Sequence, residues 1–165
     1  KMPGGNRLPV RELAELALLT ALIAGGKEAM NALPNIHPVA LLLLLAVLRH
    51  GWRALYTAFG FALIEISLYG VSSLAYLYLW PLLVAAAVPF RTNRSPLFWG
   101  AFAGIFGLSF GALCAIPYFF IGGWQAALSY WVSGIPFDLV HGVSNGVLVY
   151  ALLLPLYRLM ERYFT

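Results

Sequence analysis

The chain has 165 residues, of which 62% are hydrophobic and only 10% charged, with a formal net charge of +4. A water-soluble domain could not hide that much apolar surface, which excludes the ordinary soluble classes. The basic residues flank apolar runs, so lipid headgroups and membrane topology account for them better than nucleic acid does.

The first apolar span runs roughly from Val10 to Asn31, preceded by Arg7 and Arg11. Lys1 to Glu15 is polar and the next run has no small-residue cleavage context, so no cleavable signal is expected there. The second span opens at Pro38 and ends near His50, followed by Arg49 and Arg53 as flanking charges. About a dozen helical residues cover about 18 Å, well short of the roughly 30 Å of bilayer hydrocarbon. The polar stretch Lys27 to His37, with Asn31, Pro34 and Asn35, must complete that crossing. Irregular backbone at membrane depth is tolerated only where protein or a water-filled cavity surrounds it.

The third span covers about Trp52 to Tyr69 and the fourth about Ser72 to Phe90, interrupted by Pro81. Arg91 and Arg94 follow. The fifth, about Pro96 to Ile121, carries Gly100, Gly104, Gly107 and Gly111, a ladder that lets another helix approach closely. The sixth is expected over Pro136 to Tyr163, with Ser133 or Gly134 as cap, Pro136 in the first turn and Asp138 near the positive end of the dipole. Arg158 and Arg162 close it. The stretches 69–75 and 122–134 are uncharged and read as outer loops. The resulting fold class is an all-α membrane bundle of six transmembrane helices, one domain over residues 1–165, with both termini in the cytoplasm.

Polar residues inside a bilayer are costly and face the interior, a cavity or each other. Asp138, His141 and Asn145 fall at i, i+3 and i+7, on one helical face. They read either as the wall of a binding site open to the outside or as a network pinning the last helix. Asp138 leans to the structural role. Glu65 is the other acid within a span, with Lys27 or a histidine as possible partner. Lys27, Glu28, Asn31, Asn35 and His37 make the first outer loop polar enough for ligand contact or for plain solvation. Tyr69, Tyr76, Trp80, Tyr118, Trp124, Tyr130 and Trp131 are among the aromatics of the outer half. They form an interfacial belt, a stacking surface for a flat or bulky ligand, or both.

Two enzyme-like patterns are weak. Gly142-Val-Ser-Asn-Gly146 matches GxSxG, but a nucleophile elbow needs a strand-to-helix turn and this stretch is helical. Phe137xxxHis141xxxAsn145 echoes intramembrane prenyl-protein proteases, yet their paired glutamates have no counterpart. Three histidines and the lone Cys114 supply a metal centre poorly, so no metal and no catalytic residue is assigned. The chain has no GxxxxGK[ST] motif, so energy for any driven process would come from a partner.

Ala17-Leu-Leu-Thr-Ala21 is a small-residue face of the kind that admits a neighbouring helix. With the six-span layout, Asn35-Ile-His-Pro-Val39, and Gly134-Ile-Pro-Phe-Asp-Leu-Val-His-Gly-Val-Ser-Asn145, it resembles the S-components of energy-coupling-factor vitamin transporters. The resemblance implies a non-enzymatic substrate-capture subunit in the plasma membrane of a prokaryote. It implies that Ala17 and Ala21 dock a transmembrane coupling subunit, itself driven by two cytoplasmic ATPases that use ATP and Mg. It also implies that the subunit topples to carry its pocket inward. Candidate substrate contacts are Lys27, Asn31, Asn35, His37, Glu65, Tyr69, Tyr76, Trp80, Tyr118, Trp124, Tyr130, Trp131, Asp138, His141 and Asn145. The aromatic, mostly neutral outer half favours a corrinoid such as cobalamin, then pantothenate meeting Lys27, then a hydroxymethylpyrimidine- or pyridoxine-like ring. An intramembrane hydrolase using His141, and a non-catalytic membrane assembly protein, are the alternatives.

Overall fold

The computed structural model describes residues 8–33 and 35–163. Arg7 of the flanking arginines and Pro34 of the first loop lie outside the described residues. Among the described residues the chain is all-helical. Its elements are α1 (Val10–Ala29), α2 (Val39–His50), α3 (Ala54–Tyr69), α4 (Tyr76–Ala87), α5 (Pro96–Cys114) and α6 (Ile116–Tyr163). Single turns of 3₁₀ helix at Gly51–Arg53, Gly70–Ser73 and Val88–Phe90 follow α2, α3 and α4.

Three helical stretches are long and apolar enough to cross a membrane: Val39–Ser73, Pro96–Cys114 and Ile116–Tyr163. Tyr76–Phe90 is apolar but shorter. Large apolar side chains such as Leu63, Leu97, Ile105, Val143 and Val147 point outward, a surface that suits lipid better than water.

Helix α2 is central. Nine of its 12 residues are buried, so neighbours enclose it and the core is built around its leucines. Leu19 and Ile23 of α1, Ala58 and Phe61 of α3, Leu83 and Val84 of α4, Trp99 and Ala103 of α5, and Val149 and Leu153 of α6 share that core. Its 12 residues rise about 18 Å. The brevity expected from the sequence is therefore real.

The molecule is polarised. At one end Glu15 meets Arg11 at 3.4 Å, Arg49 at 3.2 Å and His50 at 3.3 Å. Glu12 pairs with Arg53 and lies 3.2 Å from His50. Arg91 packs over Gly51, and Arg94 donates to the Tyr157 hydroxyl at 3.1 Å while lying over its ring. Lys27 and Glu28 sit at the other end of α1, whose 20 residues span about 30 Å.

Helices α5 and α6 form the closest pair. A Cβ built at Gly107 would come 2.7 Å from Gly142 Cα and 2.8 Å from the His141 carbonyl oxygen. One at Gly100 would meet Tyr150 Cβ at 2.8 Å. The glycine ladder read in the sequence is thus a backbone-to-backbone seam, answered on α6 by Gly142 and Gly146.

The start of the last helix needs correction. The sequence reading makes 122–134 a loop and begins a helix at Pro136, capped by Ser133 or Gly134. In the structure α6 is helical through this region and breaks at Gly123 (φ 71, ψ −168), a backbone conformation open to glycine. Pro136 lies inside the helix. Proline keeps a helical φ and gives up one hydrogen bond, a cost that neighbouring helices can offset in a membrane bundle. Asp138 is accordingly far from any helix N-terminus, and the dipole argument for it fails.

Candidate ligand site

On α6, Asp138, His141 and Asn145 share the face turned inward, with 6%, 1% and 1% exposure. The glycine seam lets α5 come close enough for Phe110 to lie 4.6 Å from the His141 ring. Trp80 of α4, also 1% exposed, is 5.5 Å from Phe110, 5.6 Å from Tyr76 and 6.0 Å from both Phe61 and Phe106. Phe110 links this ring cluster to His141, one helical turn before Asn145 on the same face.

The fourth side comes from the first loop. Asn35 adopts a left-handed conformation (φ 58), which asparagine tolerates better than most residues. Its side-chain amide donates to the Phe137 carbonyl at 3.1 Å, and its own carbonyl accepts from the Ser144 hydroxyl at 3.0 Å. This clasp ties the loop to α6 and sets His37 5.1 Å from the His141 ring, edge to face, and 6.4 Å from Trp80.

Several polar atoms here have no hydrogen-bond partner among the described residues: His37 Nδ1, Trp80 Nε1, both ring nitrogens of His141, and Asn145 Nδ2. A buried polar group left unsatisfied costs about 1–3 kcal/mol. Such groups are few in folded proteins, so a cluster of them in one place asks for a chemical reason.

A charged group adjoins this cluster. Lys27 lies 2.7 Å from Glu65 and 3.7 Å from Glu28, with its ammonium 4.7 Å above the Tyr69 ring. The Tyr69 hydroxyl donates to Glu28 at 2.7 Å, and the Asn31 amide approaches that hydroxyl at 3.5 Å. Glu65 is 1% exposed, and its Oε1 has no hydrogen-bond partner among the described residues. A Cβ built at Gly26 would come 2.8 Å from Pro38 Cγ, so the backbones beside Lys27 and His37 lie close together.

Some residues expected at the site are held elsewhere. Tyr118 and Tyr130 stack on each other at 4.1 Å across the Gly123 turn. Trp124 and Trp131 line an apolar cleft of about 380 Å³ with Ala112, Phe119 and Ala127. All four are exposed, and among the described residues none makes a ring contact or hydrogen bond with His141 or Asn145. Trp124, Tyr130 and Trp131 sit on helix where a loop was expected, beside the α5–α6 hairpin rather than over the polar cluster. Asp138 accepts from the Gly111 amide at 2.9 Å and so fastens α6 to α5. Ser144, Phe106 and Phe110 were not foreseen. Ser144 falls between His141 and Asn145 in sequence, and the two phenylalanines lie on the glycine-bearing helix, which are the only signals they give.

The hydroxyl of Ser144 bonds backbone carbonyls, those of Asn35 and His141, not an imidazole. The GxSxG match therefore has no nucleophile–base contact. Among the described residues, no group of three or more histidine, cysteine, aspartate or glutamate side chains could hold a metal ion. Ala17 and Ala21 are both exposed, on the face of α1 that also carries Ala14, Leu18 and Leu22 outward. No protein-family model, curated protein or solved structure matches the chain.

Proposed function

We propose that the chain is the substrate-capture S-component of an energy-coupling-factor transporter, crossing a prokaryotic plasma membrane six times with both termini in the cytoplasm. In this reading it hydrolyses nothing. It takes a vitamin or vitamin precursor from outside and delivers it by toppling against a transmembrane coupling subunit, which two ATPases drive with ATP and Mg. The observation that carries the reading is the set of unpartnered buried polar atoms on His37, Trp80, His141 and Asn145 inside an aromatic frame. Such a set is the chemistry of a small-molecule site: a largely apolar wall with a few convergent polar groups.

Two further features support it. The arginines gather at one end while the polar cluster lies toward the other, as a protein with a cytoplasmic end and an outward-facing site requires. Ala17 and Ala21 present small side chains outward, so a partner helix could approach α1 closely.

The test is purification of the tagged chain from its native membrane in mild detergent. A multi-pass membrane partner and two ATPases should co-purify with the wild type. They should be lost, with the fold retained, in Ala17→Trp or Ala21→Trp. Full retention of those partners in both variants would remove the docking assignment. Their absence from the wild-type preparation would remove the transporter reading.

A further inference from the structure

At the arginine-bearing end two cavities meet at one residue. The first, a crevice of about 340 Å³, is lined by Pro9, Arg11, Glu12, Glu15, Arg49 and His50. The second, a groove of about 200 Å³, is apolar apart from Glu15. It passes Leu18 and Leu22 of α1, Leu45 of α2, and Leu159 and Met160 of α6. From Glu15 to Leu22 the helix rises about 10 Å, so the groove leads away from the charged end. Leu18, Leu22 and Leu159 are each about half exposed.

The crevice carries an excess of positive charge. Arg11, Arg49 and Arg53 stand against Glu12 and Glu15, three cations to two carboxylates. Arg11 has room to turn, with 57% of its side chain exposed and its Nε 3.4 Å from Glu15. His50 is 6% exposed, and its Nε2, 3.3 Å from Glu15, makes no hydrogen bond among the described residues. Pro9, the N-cap of α1, lines the same crevice, and no side chain caps the helix there. First-turn amides have no acceptor within their own helix, and the dipole adds partial positive charge at that point. A phosphate group answers both the amides and the arginines.

We propose that crevice and groove together hold one anionic glycerophospholipid. Its phosphodiester lies at the start of α1 against Arg11, its uncharged head occupies the crevice, and one acyl chain lies along the groove. The single negative charge of the phosphodiester balances the excess arginine. A choline or ethanolamine head would return a positive charge beside Arg11 and Arg49. Free phosphate would fill the crevice and leave the leucines of the groove uncovered. The site rests on the helices lying in a bilayer and not on what the protein carries.

The experiment uses the purified full chain in detergent, stripped of lipid, with melting midpoints and native mass spectra as readouts. Its probes are dioleoylphosphatidylglycerol, dioleoylphosphatidylcholine with the same acyl chains, and inorganic phosphate. A ligand that binds the folded protein raises its melting midpoint. The phosphatidylglycerol should do so as one molecule per chain, at about tenfold lower concentration than the phosphatidylcholine. Arg11→Gln should remove that preference while its lipid-free midpoint stays within a few degrees, because an exposed i,i+4 ion pair adds little. Leu159→Trp, which fills the groove, should weaken binding of both lipids. Leu63→Trp, on an outward face outside the groove, should weaken neither. Equal binding of the two lipids, or an unchanged preference in Arg11→Gln, would overturn the headgroup assignment and the proposal with it. Equal effects of Leu159→Trp and Leu63→Trp would overturn it by making the groove ordinary lipid-facing surface. So would an equal rise with inorganic phosphate, which would leave an anion site alone, or a lipid-free dimer, which would give the groove to a second copy of the chain.

Discussion

Lys27 and Glu65 meet at 2.7 Å with only 15% and 1% of their side chains exposed. The sequence offered this pairing as one option among several, because each residue stood out as a charge in an apolar stretch. It could not choose, since the partners lie on different helices and no local rule links them. The surroundings make the pair unequal. Without Glu65, Lys27 still has Glu28 at 3.7 Å and the face of Tyr69. Without Lys27, Glu65 is a buried carboxylate with no counter-charge in contact. Removing one partner of a buried pair typically costs about 3–5 kcal/mol. Lys27→Met should therefore destabilise the protein by about that amount, and Glu65→Gln by clearly less. Lys27→Met combined with Glu65→Met should recover most of the loss, because burying two apolar side chains removes the stranded charge. Urea unfolding of the purified protein in micelles measures all three. Equal losses in the single variants with no recovery in the double would show that the two residues are not coupled.

Helices record the same division between what sequence shows and what it hides. The short α2, the glycine ladder of α5 and the shared face of Asp138, His141 and Asn145 follow from helical spacing alone, and the structure has all three. The helical stretch between Gly123 and Pro136 does not follow. Proline, glycine and serine there imitate a loop, yet the segment is helical. Nor does spacing reveal that His37 comes to His141, 104 positions later, through the Asn35–Ser144 clasp. The α5–α6 seam gives a sharp expectation. Gly107→Val would push side-chain atoms into Gly142 and the His141 carbonyl, and backbone cannot yield as a side-chain tip can. Overpacking of this kind costs about 1–3 kcal/mol. Gly134, also within α6, has nothing within 4 Å of a built Cβ, so Gly134→Ala should be neutral or stabilise by up to about 1 kcal/mol. Melting midpoints of the two variants should move in opposite directions, or Gly107 alone should move. A Gly107→Val protein as stable as the wild type would mean that the helices are not in backbone contact there.

For the molecule as a whole, polarity along its long direction links topology to function. The start of α1 and the end of α6 lie together, since Glu15 and Leu18 line one groove with Leu156, Leu159 and Met160. Arg49 and Arg53 bring the α2–α3 connection to the same end, and Arg94 on Tyr157 brings the α4–α5 connection there. In the proposed topology, the positive-inside rule turns this end to the cytoplasm. The Gly70–Ser73 turn and the Gly123 turn then face outward, on the side of the polar cluster. The lone Cys114 makes this accessible to labelling. In a Cys114→Ala background, a single cysteine placed by Ser72→Cys should react with a membrane-impermeant maleimide on intact cells. One placed by Thr92→Cys, beside Arg91 and Arg94, should react only after the membrane is opened. Both positions are exposed, so accessibility within the protein does not separate them. The reverse pattern would invert the orientation and turn the candidate site toward the cytoplasm, where it could not capture a nutrient from outside. Reaction of both positions on intact cells would show that the two ends lie on the same side of the membrane, and the bundle would not span it.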